Sequence, residues 1–289
     1  MKAPAFGYLR PASLAEALAL LQSHPDAKLL AGGQSLLPAL NLRLSQPSHL
    51  IDIGRLAELC GISVQQGRLR IAALTRHAEL QASPLIAQAA PLLHAAIQHV
   101  AHPAIRSRGT IGGSLANADP AAELPACALA LQARIDVLGP GGARSIQACD
   151  FFTGLFETAL GSDEILAAVE IDTPCEGAVF GFQELARRSG DYAIVGLAAA
   201  GRVEGGALAE LRLAYFSVGA TAILATNAAA CLLGTAADPA SLSRAEAALA
   251  QDLDPPDDLQ ASSATRLHLA RVLLRRVVSS MMPQQRLAA

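Results

Sequence analysis

Two glycine pairs, each inside a short turn that also carries hydroxyl side chains, are the feature that most constrains this chain. The first pair lies in residues 31–35, between a strand-like run and a helical run. The second lies in residues 109–114, ahead of another predicted helix. Adjacent glycines let the backbone approach a ligand closely and turn successive N–H groups one way, as a bound diphosphate requires. Gly-Gly pairs are also common in ordinary loops, so both interpretations stay open at this point.

Several common site motifs are absent from the sequence. Neither glycine turn fits G-x-G-x-x-G, and no G-x-x-x-x-G-K-[ST] segment is present, so a Rossmann dinucleotide site and a P-loop are not predicted. No G-x-S-x-G segment is present, so a serine hydrolase has no nucleophile elbow. His94, His99 and His102 lack a second ligand set, and no metal site is predicted.

The composition indicates a folded chain that does not bind nucleic acid. Hydrophobic residues make up 52% and charged residues 16% of the 289 residues, which excludes a disordered chain. The net charge is −3 and no basic stripe is present, so nucleic acid is a poor partner. The cysteines are widely spaced, which predicts reduced thiols and a cytoplasmic location. They are Cys60, Cys127, Cys149, Cys175 and Cys231.

Two further groups of polar residues are candidates for a site. Asp119 and Glu123 follow the second glycine turn, where a carboxylate either accepts from ribose or ribityl hydroxyls or caps a helix. Residues 187–192 (Arg-Arg-Ser-Gly-Asp-Tyr) put two cations and a ring in one turn. This run is either a solvated hairpin end or a cation and ring beside a flat anionic cofactor.

The hydrophobic pattern predicts an α+β chain. A capping box at residues 13–16 starts a helix, and residues 84–100 are predicted as one helix. Alternating patterns predict strands over 178–185, 193–200 and 208–218. The last helix, over 262–281, is predicted to place Leu267, Ala270, Leu274 and Val277 on one apolar face and its arginines, including Arg266, largely elsewhere. The uncharged stretch 213–237 is predicted to be a strand and a helix, not a membrane span.

The two glycine turns and their flanks resemble the FAD-binding subunit of the molybdenum hydroxylases, the family of carbon monoxide dehydrogenase medium chains and bacterial xanthine dehydrogenase FAD subunits. Residues 31–38 (AGGQSLLP) resemble the family's first FAD motif. Residues 109–116 (GTIGGSLA), followed by Asp119-Pro120, resemble the second, and residues 187–193 resemble a third stretch near the flavin ring. Gln34 stands where many relatives carry His. The resemblance covers essentially the whole chain.

The resemblance implies a fold and a set of cofactor contacts. It implies a two-lobed FAD-binding domain of the vanillyl-alcohol-oxidase type over 1–174, with lobes of about 1–55 and 56–174. It also implies an α+β C-terminal domain with a three-stranded sheet over 175–289. Both glycine turns would hold the FAD diphosphate through backbone N–H groups. The implied cofactor-binding residues are Leu30, Ala31, Gly32, Gly33, Gln34, Ser35, Leu36, Ala101, Thr110, Ile111, Gly112, Gly113, Ser114, Asp119, Glu123, Leu166, Arg187 and Tyr192.

The resemblance also implies partners and a role. Such subunits work with an iron–sulfur subunit that carries two [2Fe-2S] clusters and with a molybdopterin-binding large subunit. Electrons would pass from the clusters through FAD to an acceptor such as NAD+ or a quinone. No residue of this chain then has to be a catalytic acid or base, because the cofactor carries the redox chemistry. The alternatives are a cofactor-free scaffold subunit and a stand-alone flavin oxidoreductase.

Overall fold

The computed structural model describes residues 2–282 and begins with a small parallel sheet. Its three strands are β1 (Gly7–Leu9), β2 (Lys28–Leu30) and β3 (His49–Asp52), in the order β1-β3-β2. Helices α1 (Leu14–Ser23) and α2 (Leu36–Asn41) connect them. Ser13 Oγ accepts from the Glu16 N–H at 3.2 Å, which confirms the predicted start of α1. The Glu16 carboxylate accepts from the Ala12 N–H, one residue before the reciprocal donor of a capping box.

The middle of the chain builds an antiparallel five-stranded sheet, covered by helices. The strands of this region are β4 (Ile62–Gln65), β5 (Arg68–Ala72), β6 (Arg134–Gly139), β7 (Gly142–Gln147), β8 (Phe152–Gly154), β9 (Glu157–Thr158) and β10 (Ile165–Asp172). The sheet order is β4-β5-β10-β6-β7, and β8 and β9 form a separate ribbon. The helices are α3 (His77–Ala82), α4 (Pro84–Ala89), α5 (Pro91–Ile97), α6 (Pro103–Arg106), α7 (Ile111–Asn117), α8 (Glu123–Ala130) and α9 (Ala148–Phe151).

The prediction of a single helix over 84–100 is wrong. The structure has two helices, α4 and α5, which are separated at Ala90 with φ −143° and ψ 65°. Pro91 starts the second helix, since proline lacks an N–H and disfavours a helical conformation in the residue before it.

The end of the chain forms a third sheet, and the helices of this part of the chain cover one of its faces. Its elements are β11 (Ala178–Leu185), β12 (Val195–Glu204), β13 (Ala207–Phe216), β14 (Ile223–Leu224), α10 (Thr226–Ala230), α11 (Pro239–Asp252) and α12 (Ser263–Met281). The antiparallel order is β11-β12-β13-β14, so a two-residue strand extends the three predicted ones. Ala270, Leu274 and Val277 of α12 are buried as predicted.

The prediction that the arginines of α12 lie away from its buried face is wrong for Arg266. It is 3% exposed and donates to the carbonyl oxygens of Ile194 and Ser217, and it forms an ion pair with Asp258. These partners come from loops that a helical pattern cannot reveal, and they compensate for the burial of the guanidinium.

One hydrophobic core joins the second and third sheets. Helices α5 and α8 pack against β12 and β13, and the same buried cluster includes Ile97, Cys127, Ala198 and Phe216. Ser217 N–H donates to the Pro120 carbonyl across this contact. Within residues 2–282, no helix combines the length and apolar character needed to cross a membrane.

Candidate functional site

The first glycine turn connects β2 to α2 and requires glycine. Leu30 ends β2, residues 31–35 form the turn, and Leu36 starts α2. Gly33 has φ +73°, a conformation that L side chains rarely adopt. A Cβ at Gly33 would also lie 3.1 Å from Leu30 and Leu37 side-chain carbons. Gln34 Nε2 donates to the Gly32 carbonyl at 3.2 Å, which helps to hold the turn.

The same turn presents a row of free donors. Within the described residues, the N–H groups of residues 32–35 donate no hydrogen bond, and Ser35 Oγ forms no cap with α2. Four successive amides without a protein acceptor are therefore available to a ligand. Such a row can bind an anion through its N–H groups.

The second glycine pair does not form a free turn. Thr110 is the N-cap of α7, and both glycines belong to the first turn of that helix. Gly113 N–H donates to Thr110 Oγ1 at 3.1 Å, and Gly112 N–H donates to the Ala73 carbonyl at 2.9 Å. The N–H groups of Ile111 and Ser114 are also paired within the chain. This segment therefore contributes its shape and the Ser114 hydroxyl, while the first turn contributes the free amides.

The two glycine segments are in direct contact. A Cβ at Gly32 would lie 2.2 Å from the Arg108 carbonyl oxygen and 2.9 Å from Gly109 Cα. A Cβ at Gly113 would lie 4.0 Å from Ala31 Cβ. Because the obstructing atoms at Gly32 are backbone, a side chain there would push the two segments apart. The fold thus joins two motifs that lie far apart in the sequence into one surface.

Packing behind the second segment explains where Leu166 lies. A Cβ at Gly112 would lie 2.5 Å from Ala73 Cβ, so α7 sits directly on the end of β5. The Ala73 N–H in turn donates to the Ala167 carbonyl at 2.9 Å. The register of β10 against β6 shifts between Leu166 and Ala168. The side chain of Leu166 is buried in the core, so only its backbone is available near α7.

The third predicted motif lies against Ala101. Ala101 has φ +44°, and a Cβ at Gly190 would lie 3.0 Å from the Ala101 carbonyl oxygen and 2.4 Å from His102 Cε1. This contact places residues 187–192 beside the segment that leads into the second glycine motif. Arg187 Nη2 donates to the Gln260 carbonyl at 3.2 Å, in the loop before α12.

A cluster of acidic residues with a histidine and a tyrosine lies where α5, α8 and β11 meet. Burial, followed by the charge of Glu184, raises the pKa of Glu123 to about 7. His99 Nδ1 lies 3.4 Å from Glu184 Oε1, and this interaction raises the pKa of His99. Partial burial of its phenol and the neighbouring Asp119 carboxylate raise the pKa of Tyr192 to about 12. Asp119 Oδ1 also accepts from the Ala121 N–H at 2.9 Å, so it caps its own turn.

The sequence did not single out Glu184 and Arg106 of this region, and it drew attention to His99 only as a rejected metal ligand. Glu184 and His99 come from distant segments, and Glu184 Oε2 is buried without a hydrogen-bond partner among the described residues. Arg106 is 9% exposed and lies just before the second glycine motif. No local pattern marks these three, because α6 has only four residues and Glu184 occupies one position of an alternating strand.

The residues present fit a diphosphate-containing cofactor. The two glycine segments are joined at a contact that any side chain at Gly32 would disrupt, the first segment supplies free amides, and the second carries the Ser114 hydroxyl. Carboxyl groups and an exposed tyrosine ring lie beyond α7, so the chain can contact a phosphate, a polyol and a planar ring. The fold and these segments together define a protein that binds a flavin or nucleotide cofactor.

Comparison with known proteins shows which family of cofactor-binding proteins this chain belongs to. Residues 4–174 match the family described as the FAD binding domain in molybdopterin dehydrogenase. Residues 180–281 match the CO dehydrogenase flavoprotein C-terminal domain. The chain therefore belongs to the family of FAD-binding medium subunits of molybdenum hydroxylases. It is an oxidoreductase subunit and its cofactor is FAD.

Similar proteins span almost the same length as this chain. The carbon monoxide dehydrogenase medium chain of Hydrogenophaga pseudoflava is 36% identical, over 96% of this chain and 97% of the relative. The nicotine 6-hydroxylase medium subunit of Paenarthrobacter nicotinovorans is 37% identical, over 96% and 98%. The structure of quinoline 2-oxidoreductase from Pseudomonas putida 86 superposes with a TM-score of 0.93 at 40% identity, covering 97% of this chain and 98% of that chain.

Proposed function

We propose that this chain is the electron-transfer subunit of a complex with a [2Fe-2S] iron–sulfur subunit and a molybdopterin-binding large subunit. In this proposal, electrons from the iron–sulfur clusters reach FAD here and leave to an acceptor such as NAD+ or a quinone. The observation that carries the proposal is the joined pair of glycine segments with free amides at residues 32–35. The medium-chain names of the relatives support a multi-subunit complex.

The proposed role of each part of the site follows from its chemistry. The amides of residues 32–35 and the Ser114 hydroxyl bind the diphosphate, because each has a donor that the protein leaves free. Asp119 and Glu123 bind hydroxyl groups of the cofactor, and the half-exposed Tyr192 ring lies against its planar part. FAD supplies the redox chemistry when bound.

We also propose the domain division expected from the sequence, 1–174 and 175–289, with lobes of about 1–55 and 56–174. The first sheet with α1 and α2 supports the first lobe, and the five-stranded sheet with α3–α9 supports the second. The cytoplasmic location stays a prediction from the spacing of the cysteines.

The experiment that tests the cofactor role is purification of the full chain, alone and with its co-expressed genomic neighbours, followed by visible spectroscopy and identification of released cofactor. We expect a flavin spectrum and released FAD. Gly32→Ala should lose most of its FAD, because its Cβ would meet the Arg108 carbonyl. Gly141→Ala is the matched control, since nothing lies within 4 Å of a Cβ there.

The same preparation tests the partners and the direction of electron flow. Co-purification of an iron–sulfur chromophore, and bleaching of the flavin when substrate is added anaerobically, are expected. A colourless chain that refuses added FAD would instead support the scaffold alternative. A yellow chain that binds neither partner and is reduced directly by substrate would support a stand-alone oxidoreductase.

A further inference from the structure

Arg106 is a buried cation without a carboxylate partner. Its guanidinium donates from Nη1 to the carbonyl oxygens of Val100 and Ala101, each at 2.9 Å, and from Nε to Gln81 Oε1 at 3.1 Å. Among residues 2–282, no acidic side chain lies within ion-pair distance of it. Neutral acceptors satisfy some of its N–H groups but leave its charge uncompensated, which is costly in a protein interior.

The charge lies close to the second glycine segment. Two residues separate Arg106 from Gly109, and the Gly109 N–H donates to the Ile105 carbonyl at 2.8 Å, so this stretch is folded tightly. The His77 ring packs against Gly109, and a Cβ on Gly109 would lie 2.9 Å from His77 Nδ1. Burial, and then the nearby charge of Arg106, lower the pKa of His77 to about 4. The field of Arg106 thus reaches the second segment, where its histidine neighbour stays neutral.

One donor of Arg106 is still free. Within the described residues Nη2 makes no hydrogen bond, and it is not among the fully buried unpaired atoms. The bonds from Nη1 meanwhile hold Ala101 in its left-handed conformation, against which the Gly190 turn packs. Arg106 therefore connects the Ala101 turn, against which the third motif packs, to the segment that leads into the second motif, and it retains a positive charge there.

We propose that Arg106 is a positioning residue of the cofactor site, whose uncompensated charge favours the anionic diphosphate at the glycine segments while its carbonyl bonds set the Ala101 turn. The proposal rests on FAD binding by this chain. Only two lysines occur in the whole sequence, Lys2 and Lys28, so arginines supply most of the cations that can face a bound diphosphate. An opposite charge in a poorly solvated position attracts an anion more strongly than an exposed one does.

The test measures FAD affinity of the full-length apoprotein at low and high salt for four forms. They are the wild type, Arg106→Lys, Arg106→Gln and Arg244→Gln. The last form removes the same charge from an exposed position on α11. We expect Arg106→Gln to weaken FAD binding by about ten-fold or more and to reduce its salt dependence. Arg106→Lys should recover most of the affinity, and Arg244→Gln should match the wild type.

Each other outcome has a distinct meaning. Wild-type affinity in Arg106→Gln, or equal losses in the Lys and Gln variants with unchanged salt dependence, would overturn the proposal and leave only a structural role. Thermal unfolding of each apoprotein shows whether the variant is folded. If Arg106→Gln is unfolded, Arg106→Met, whose stem fills the buried space, replaces it in the same comparison. Absence of FAD binding by the wild type would contradict the proposed function instead.

Discussion

Glu123 shows how one partly buried residue makes the stability of the chain depend on pH. Its pKa is about 7 in the folded protein against 4.5 for an ordinary glutamic acid, chiefly because of burial. Between these values the native state binds more protons than the unfolded state, so stability falls as the pH rises through this window. The loss is complete above pH 7 and is on the order of 3 kcal/mol. The charge of His99 lowers the pKa of Glu123, whereas the charges of Glu184 and Asp119 raise it.

We therefore expect Glu123→Gln to stabilise the apoprotein at pH 8 and to leave its stability almost unchanged near pH 4.5. Urea unfolding at several pH values measures this difference. Glu176→Gln, in the exposed loop after β10, is the control and should behave as the wild type at every pH. Parallel stability curves for Glu123→Gln and the wild type would contradict the burial of a titrating carboxyl at this position.

At the scale of single elements, the stability of helix α7 depends on its N-cap residue, Thr110. Its first turn contains both glycines of the second motif, which lower helix propensity, and Thr110 Oγ1 accepts from the Gly113 N–H. Thr110→Ala should cost about 1 kcal/mol, because a donor loses its partner at the start of the helix. Thr110→Ser keeps the hydroxyl and should retain most of the stability. Equal unfolding midpoints for Thr110→Ala and Thr110→Ser would show that the cap contributes nothing.

The whole molecule is expected to unfold as one unit, although the sequence divides it into two domains. The core that joins α5 and α8 to β12 and β13 crosses the division, and Arg212 Nε donates to the Ala130 carbonyl at 2.7 Å across it. Calorimetry of the apoprotein should show a single transition. Phe216→Ala should lower the free energy of unfolding by about 3–5 kcal/mol, since Phe216 is fully buried in this shared core.

Leu259→Ala is the matched control for the whole-molecule prediction, because Leu259 is fully exposed in the loop before α12. Its transition should coincide with that of the wild type. Two separate transitions in the wild type, with only the later part of the chain affected by Phe216→Ala, would mean that the two domains unfold independently.

The sequence by itself determined the local elements and the chemical class of the site. The cap at Ser13 and the alternating strands after residue 177 depend on neighbouring residues, and their patterns were sufficient to predict a helix and strands. The two glycine motifs left a diphosphate site and an ordinary loop both open, and the family resemblance favoured the first. The family resemblance depended on the same motifs. Two local predictions were wrong. The break at Ala90 is caused by the proline that follows it, and the second glycine pair is helical because Thr110 caps α7 just before it.

The tertiary structure alone decided which distant residues meet. Gly32 lies against Arg108, Glu184 lies beside His99, and Arg106 is buried just before the second glycine segment. The burial of Arg266 was likewise invisible in the helical pattern. A pattern reports which side of an element is apolar, but a buried charge is tolerated only where other segments bring it acceptors. Those acceptors are carbonyl oxygens of remote loops, and every residue type has one.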